Sequence, residues 1–259
     1  MIVNSLLLFL VIVGVIDTGI DCKQQLFKDN LLEGKNLLEP AEKIKDYEEH
    51  GTAIAGIIVT IAPDAYIIPV AVSNELGIAD YLNIFDAIEY CVNNKAFVIN
   101  LSLSFFEENL KYIKQKIGKQ KFKESFFVIA AGNECEYCAP MKETFNNVII
   151  VAALRKDGLT LASYSNYGDG VDLAVVTGDV NEGIVTCKAY STQKRLFNGT
   201  SAAAGVVSAY IAKLKFENPR APVKDIKEML FNKCCINKDI NVKAGKCLMQ
   251  DGYKVDSAL

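Results

Sequence analysis

The sequence has one histidine, His50, no tryptophan, and no surplus of basic charge: 28 Lys and Arg stand against 31 Asp and Glu. Each shortage excludes something. Without a basic field there is nothing to hold a phosphate backbone, so nucleic acid is not expected as a partner. No G-x-G-x-x-G or Walker-type loop follows the first apolar run, which removes support for an ordinary nucleotide-binding α/β domain. No apolar run reaches the roughly 20 residues that span a bilayer. The longest, Ser5 to Ile16, has no Lys or Arg before it and no small-x-small cleavage site behind it, and it runs straight into Asp17. It reads as a buried parallel strand, because strands covered on both faces are continuously apolar. With a single histidine, any mechanism that relies on imidazole near neutral pH must use His50.

What is present suits one α/β domain over residues 1–259, 51% hydrophobic and long enough to bury a full core. Short runs rich in Val and Ile alternate with segments of helical period, the pattern of a doubly wound, mostly parallel sheet with helices on both faces. Strands are expected at Leu6–Ile16, Ala65–Val72, Phe97–Leu103, Phe126–Ala131, Val148–Ala153 and Val171–Val176, and surface-packed helices at Ala79–Asn93 and Glu108–Gln120. Thr200–Lys215 is small or apolar on every side, which predicts a helix buried in the core, and Pro222–Phe231 predicts a further helix. The eight cysteines would suit a disulfide framework only in an exported chain, so reduced thiols are expected. Cys135 and Cys138 form a lone C-x-x-C with no further zinc ligands beside them.

In open α/β sheets functional groups gather at the carboxyl ends of strands. Asp17 closes the first strand, Asn133 follows the strand ending at Ala131, and Ser201 opens the buried helix. His50 begins an apolar helix after the acidic stretch Asp46–Glu49, with solvent on one side of its ring. For Ser201 two readings stay open: an N-cap serving the first turn, or a hydroxyl beside a positive helix end that favours an oxyanion.

Taken together these segments resemble the subtilisin-like serine peptidases, the subtilase family. Val15-Ile16-Asp17-Thr18-Gly19 is similar to the family's aspartate motif, His50-Gly51-Thr52 to its histidine motif and Asn198-Gly199-Thr200-Ser201 to its serine motif, in that order. Ala130-Ala131-Gly132-Asn133-Glu134 resembles the segment whose asparagine helps form the oxyanion hole, and Val98–Leu103 the strand that pairs with substrate. The resemblance implies a serine endopeptidase acting on a peptide or protein. Asp17, His50 and Ser201 would be its triad, Asn133 an oxyanion donor, and Leu101, Ser102, Leu103, Ser104, Ala131 and Gly132 its substrate-binding residues. No cofactor is required by such chemistry.

Some positions depart from the family pattern. Ala204-Gly205-Val206 replaces the usual proline and second histidine after the serine, so the packing behind the nucleophile must differ. Leu26 and Phe27 stand where calcium-binding relatives carry an aspartate ligand, and no strong calcium site is expected there. Ser104-Phe105-Phe106 replaces glycines beside the substrate strand, which implies a narrowed cleft and selective or processing cleavage. The sixteen residues before Asp17 hold no prodomain, which implies a cytoplasmic enzyme, or a secreted one if an upstream propeptide has been removed. An inactive relative that docks peptides by strand addition, and an acyl-transferring macrocyclase or transpeptidase, are the competing readings.

Overall fold

The computed structural model describes residues 10–46, 48–73, 79–103, 117, 120–140, 145–234 and 248–249. Its centre is β1 (Val11–Asp17), in which all seven residues are buried. The continuous apolar run is accounted for by its neighbours: β1 lies between β3 (Ala65–Ala71) and β4 (Val98–Leu101), parallel to both. β2 (Lys35–Asn36) extends the sheet beyond β3. On the other side follow β5 (Phe126–Ala130), β6 (Val148–Leu154), β7 (Leu173–Val176) and the short β10 (Leu248–Met249), giving an eight-stranded parallel sheet in the order β10-β7-β6-β5-β4-β1-β3-β2.

Alternate residues of each strand feed two apolar layers. Val11, Val13 and Val15 join the layer made with α1 (His50–Ile61), α3 (Gly199–Glu217) and α4 (Val223–Cys234). Ile12 and Ile16 join the opposite layer, covered by α2 (Tyr81–Asn93), whose first turn is capped by the Asp80 carboxylate accepting from the Leu82 N–H at 2.8 Å. This is a doubly wound α/β fold with helices on both faces.

As its unpatterned small and apolar residues predict, α3 is buried almost all round. Where the family proline and histidine are missing, the space is filled by aliphatic contact between α3 and α1. A β-carbon added to Gly205 would stand 3.5 Å from the Ile54 Cγ2, and Val206 is buried.

Several boundaries differ from the sequence reading. β4 ends at Leu101 rather than Leu103, because beyond that point Ser102 turns its polar atoms toward α3. β7 begins at Leu173, since the Gly170 N–H donates to the Cys138 carbonyl and the Val171 N–H closes a turn on Gly168 instead of joining the ladder. An antiparallel hairpin of β8 (Ile184–Cys187) and β9 (Lys194–Phe197) was not legible in the sequence and proves important for the site. The expected helix Glu108–Gln120 lies outside the described residues except for Ile117 and Gln120.

Candidate active site

Asp17 is the last residue of β1 and is fully buried. Its Oδ1 accepts the Thr18 N–H at 2.8 Å and faces the His50 Nδ1 at 2.7 Å. A carboxylate at Nδ1 fixes the ring as the Nδ1–H tautomer and leaves Nε2 as the basic nitrogen. Asp17 Oδ2 is buried without a hydrogen-bond partner among the described residues.

His50 begins α1, and its side chain is 29% exposed. The close fit of α1 to β1 depends on Gly51. A β-carbon there would lie 2.1 Å from the Gly19 carbonyl oxygen and 3.1 Å from the Asp17 Cβ, and the first of these is backbone that cannot swing aside. Gly51→Ala is therefore expected to destabilise the protein by about 3 kcal/mol, the upper end for overpacking, seen as a fall of roughly 6–12 °C in a thermal melt with loss of the His50–Asp17 contact. An unchanged melt would show that α1 can move off β1 freely.

Behind Asp17 stands a second buried acid, Asp46. Its Oδ1 accepts the Thr18 hydroxyl at 2.7 Å and its Oδ2 the Thr52 N–H at 2.8 Å, while Thr18 Oγ1 also reaches Asp17 Oδ1 at 3.3 Å. Burial raises the Asp46 pKa above the ordinary carboxylate value, hydrogen bonds from Thr52 and Thr18 pull it back, and the Asp17 charge pushes it up. For His50, burial lowers the pKa, but the charge and hydrogen bond of Asp17, with a further contribution from Asp46, outweigh burial and the opposing Arg195 charge. The net shift is upward. A base with a raised pKa loses its neutral form, and hence its activity, as pH falls through that raised value. Removing the Asp46 charge by Asp46→Asn should move the acid limb of the kcat/KM profile to lower pH. A limb that stays in place would mean that Asp46 does not act on the ring.

The hairpin completes this wall. The Phe197 ring meets the His50 ring edge-on, centroids 5.2 Å apart at 78°. Arg195 lies over the Phe197 ring at 5.5 Å and pairs with Glu49 at 3.4 Å. The turn of the hairpin is fastened to the aspartate loop, since the Tyr190 N–H donates to Asp21 Oδ2 and its hydroxyl accepts the Asp46 N–H, both at 2.8 Å.

Ser201 lies in the first turn of α3. The N-cap is Asn198, so an N-cap role does not account for the serine. Gly199 makes the entry turn at φ +94°, a conformation that side-chain-bearing residues rarely adopt. The Gly199 N–H donates to the Tyr164 hydroxyl at 3.0 Å and the Thr200 N–H to Asn133 Oδ1 at 2.9 Å, so the next donor of the helix end is the Ser201 N–H. Thr200 also bonds Asn133 Oδ1 through its hydroxyl at 3.1 Å, and that hydroxyl accepts the Gly132 N–H at 3.1 Å. With its oxygen held this way, the Asn133 amide presents Nδ2 as its donor. The Ser201 hydroxyl itself donates to the Ser102 carbonyl at 3.2 Å. Among the described residues no hydrogen bond joins Ser201 Oγ to His50, so the structure brings Asp17 onto His50 and leaves the serine hydroxyl on Ser102. A nucleophile–base hydrogen bond is often long before substrate binds.

Of the other expected site residues, Leu101 has its side chain wholly inside the core and can offer only backbone, Ser102 and Leu103 are nearly buried, and Ala131 and Gly132 are half-buried. Ser104 lies outside the described residues. At the position of the calcium ligand, Leu26 is an exposed aliphatic side chain and Phe27 is fully buried, so neither supplies a side-chain oxygen. Among the described residues no group of three or more His, Cys, Asp or Glu is arranged to hold a metal. Neither Cys135 nor Cys138 is in a disulfide. Their segment runs beside Tyr164–Tyr167, with a parallel bridge at Tyr137 and N–H groups of Cys135 and Cys138 bonded to Tyr164 and Tyr167. The Cys138 thiol faces the Ala131 carbonyl at 3.5 Å, and Cys135 stands in the left-handed region at φ +57° with its side chain exposed, so the two are not joined. Activity is accordingly expected to be equal in thiol buffer and in buffer containing a small disulfide; loss on oxidation that thiol reverses would show the segment opens.

The Subtilase family profile matches residues 10–253. An intracellular serine protease of Paenibacillus polymyxa is 30% identical over 221 residues, covering 78% of this chain and 66% of that protein. A thermophilic serine proteinase of Bacillus sp. (strain AK1) is also 30% identical, over 65% of this chain and 44% of its own length, so the chain spans less than two thirds of these two relatives. The major intracellular serine protease of Bacillus subtilis (strain 168) is 28% identical over 93% of this chain and 79% of its own. Among solved structures, a lanthipeptide protease and a cold-adapted subtilisin-like serine proteinase each superpose with a TM-score of 0.76 at 22% identity over 92% of this chain, covering 85% and 87% of theirs.

Proposed function

Because this chain belongs to the subtilase family, we propose that it is a serine endopeptidase that cleaves peptide bonds through an acyl-enzyme on Ser201. The observation that carries the reading is the buried Asp17 carboxylate 2.7 Å from His50 Nδ1; Ser201, in the first turn of the buried helix α3, is the serine that the family motif supplies as its partner.

Ser201 Oγ attacks the peptide carbonyl as His50 Nε2 takes its proton; the same nitrogen then returns the proton to the leaving amine, and a water repeats the cycle to release the acyl group. Asp17 holds the tautomer and, being fully buried, stabilises the imidazolium strongly. The Ser201 N–H and Asn133 Nδ2 bind the oxyanion, helped by the positive end of α3. The substrate backbone pairs along Leu101–Leu103 opposite Ala131–Gly132. No step uses a metal or organic cofactor from these residues.

Selective processing is favoured over broad digestion by two things: Ser104-Phe105-Phe106 in place of glycines, and the fold shared with a lanthipeptide protease. The relatives named as intracellular serine proteases favour a cytoplasmic site of action, and no helix among the described residues is long and apolar enough to cross a membrane. A peptide library with product masses tests the reading. Cleaved peptides that have gained one water, with a narrow set of residues before the cut, are expected. Cyclic or transferred products would establish acyl transfer to an amine, and binding without any product an inactive peptide-docking relative.

A further inference from the structure

Behind the nucleophile lies a chain of buried polar side chains that the acyl-transfer chemistry does not call for. Asn100, on the central strand β4, points with Val98 toward α3 into a layer otherwise built of Val, Ala and Ile. Ser208 lies on α3 seven residues after Ser201, two turns along the same face of the helix. The Ser208 hydroxyl donates to Asn100 Oδ1 at 3.0 Å, Asn100 Nδ2 donates to Ser102 Oγ at 2.8 Å, and Ser102 Oγ donates to the Ser201 carbonyl at 3.2 Å. In return, Ser201 Oγ donates to the Ser102 carbonyl at 3.2 Å. Asn100 and Ser208 are fully buried, and Ser102 and Ser201 nearly so.

Donors in this chain all run one way, from Ser208 to the first turn of α3. They end in a two-bond clamp between Ser102, at the end of the substrate strand, and Ser201. A hydroxyl in an apolar layer is costly unless bonded, and each member here is satisfied only if the next stands in place. The register of α3 against β4 is thereby tied to hydrogen-bond geometry, where apolar packing alone would tolerate sliding. Ala at 208 would keep the packing between helix and sheet but would leave Asn100 Oδ1 free and its amide able to rotate.

From this geometry we infer that Ser208, acting through Asn100 and Ser102, is a positioning residue that holds Ser201 in register with the substrate strand, an inference that rests on the peptidase reading above. Ser208 touches neither substrate nor reacting atoms. Its effect is on where Ser201 stands, and a misplacement of about 1 Å costs on the order of a hundredfold in rate.

Three variants test it: Ser208→Ala, Ser208→Val and Ser208→Thr, of which the last two have the same shape and differ only in the hydroxyl. For each, the second-order rate of labelling at Ser201 by a fluorophosphonate, kcat and KM on a cleaved peptide, and the melting temperature are measured. Ala and Val are expected to lose about tenfold or more in labelling rate and in kcat, with KM within about twofold and the folded fraction unchanged at assay temperature, while Thr regains most of the loss. If Ala and Val label and turn over like the wild type while melting lower, Ser208 is a core residue only and the inference fails. The Ala variant decides alone if Thr does not fit the layer. A folded wild type that takes up no probe refutes the peptidase reading and this inference together, which sets that failure apart.

Discussion

Ser201→Ala should reduce kcat by about a millionfold on any cleaved peptide, the magnitude lost when the triad serine of a subtilisin is removed. Structure should be untouched, because Ser201 is nearly buried and alanine keeps its place in a helix already built of Ala202, Ala203 and Ala204. Among the described residues the hydroxyl makes one hydrogen bond, to the Ser102 carbonyl at 3.2 Å, so its removal leaves that acceptor to be satisfied by water or substrate. His50→Ala should cost nearly as much, and the double variant little more than either, because nucleophile and base act as one unit and their losses do not add. Steady-state assays at substrate above KM check this. A Ser201→Ala protein that retains a hundredth of the activity would mean that another group carries the attack.

The second large effect is at Asn133. Removing one side-chain donor to the oxyanion costs about 10² to 10³ in kcat, close to 3 kcal/mol, with little change in KM because the charge exists only in the transition state. Alanine here confounds two roles, since Asn133 Oδ1 also accepts the Thr200 N–H and hydroxyl. Asn133→Asp separates them. The carboxylate keeps the acceptor that anchors the helix end but has no donor and adds a charge of the oxyanion's own sign. It should fold like the wild type and fall in kcat at least as far as alanine. Equal kcat in the Asp variant would place the oxyanion elsewhere.

Sequence made the framework of the site legible for physical reasons. β1 reads as a strand because both its faces are covered, and α3 reads as a buried helix because it carries no charge before Lys213. Asp17, His50, Ser201 and Asn133 stood out because each sits at the end of an element that presents it, and the structure places Asp17 on His50 and Asn133 on the turn entering Ser201. What stayed hidden depends on contacts between distant segments. Asp46 looks like part of a solvated acidic stretch, and only Thr18 and Thr52 folding over it make it a buried acid. Phe197 sits in Lys194-Arg195-Leu196-Phe197, too short and too mixed to read as a strand, and its place against His50 comes from the hairpin packing on α1. Leu101 and Ser102 read as pocket residues from their place on the strand that the family resemblance gives to substrate. Yet the Leu101 side chain faces the α2 layer and the Ser102 hydroxyl faces α3, so what they offer a substrate is backbone.

The central claim is that Asp17, His50 and Ser201 form one working nucleophile. Labelling by a fluorophosphonate, with the modified peptide mapped by mass spectrometry, tests it most directly in the native chain, Ser201→Ala and His50→Ala. The account predicts a single adduct on Ser201 in the native chain and none in either variant. An adduct on another residue, labelling that survives His50→Ala at the native rate, or no labelling of the folded native chain would contradict it.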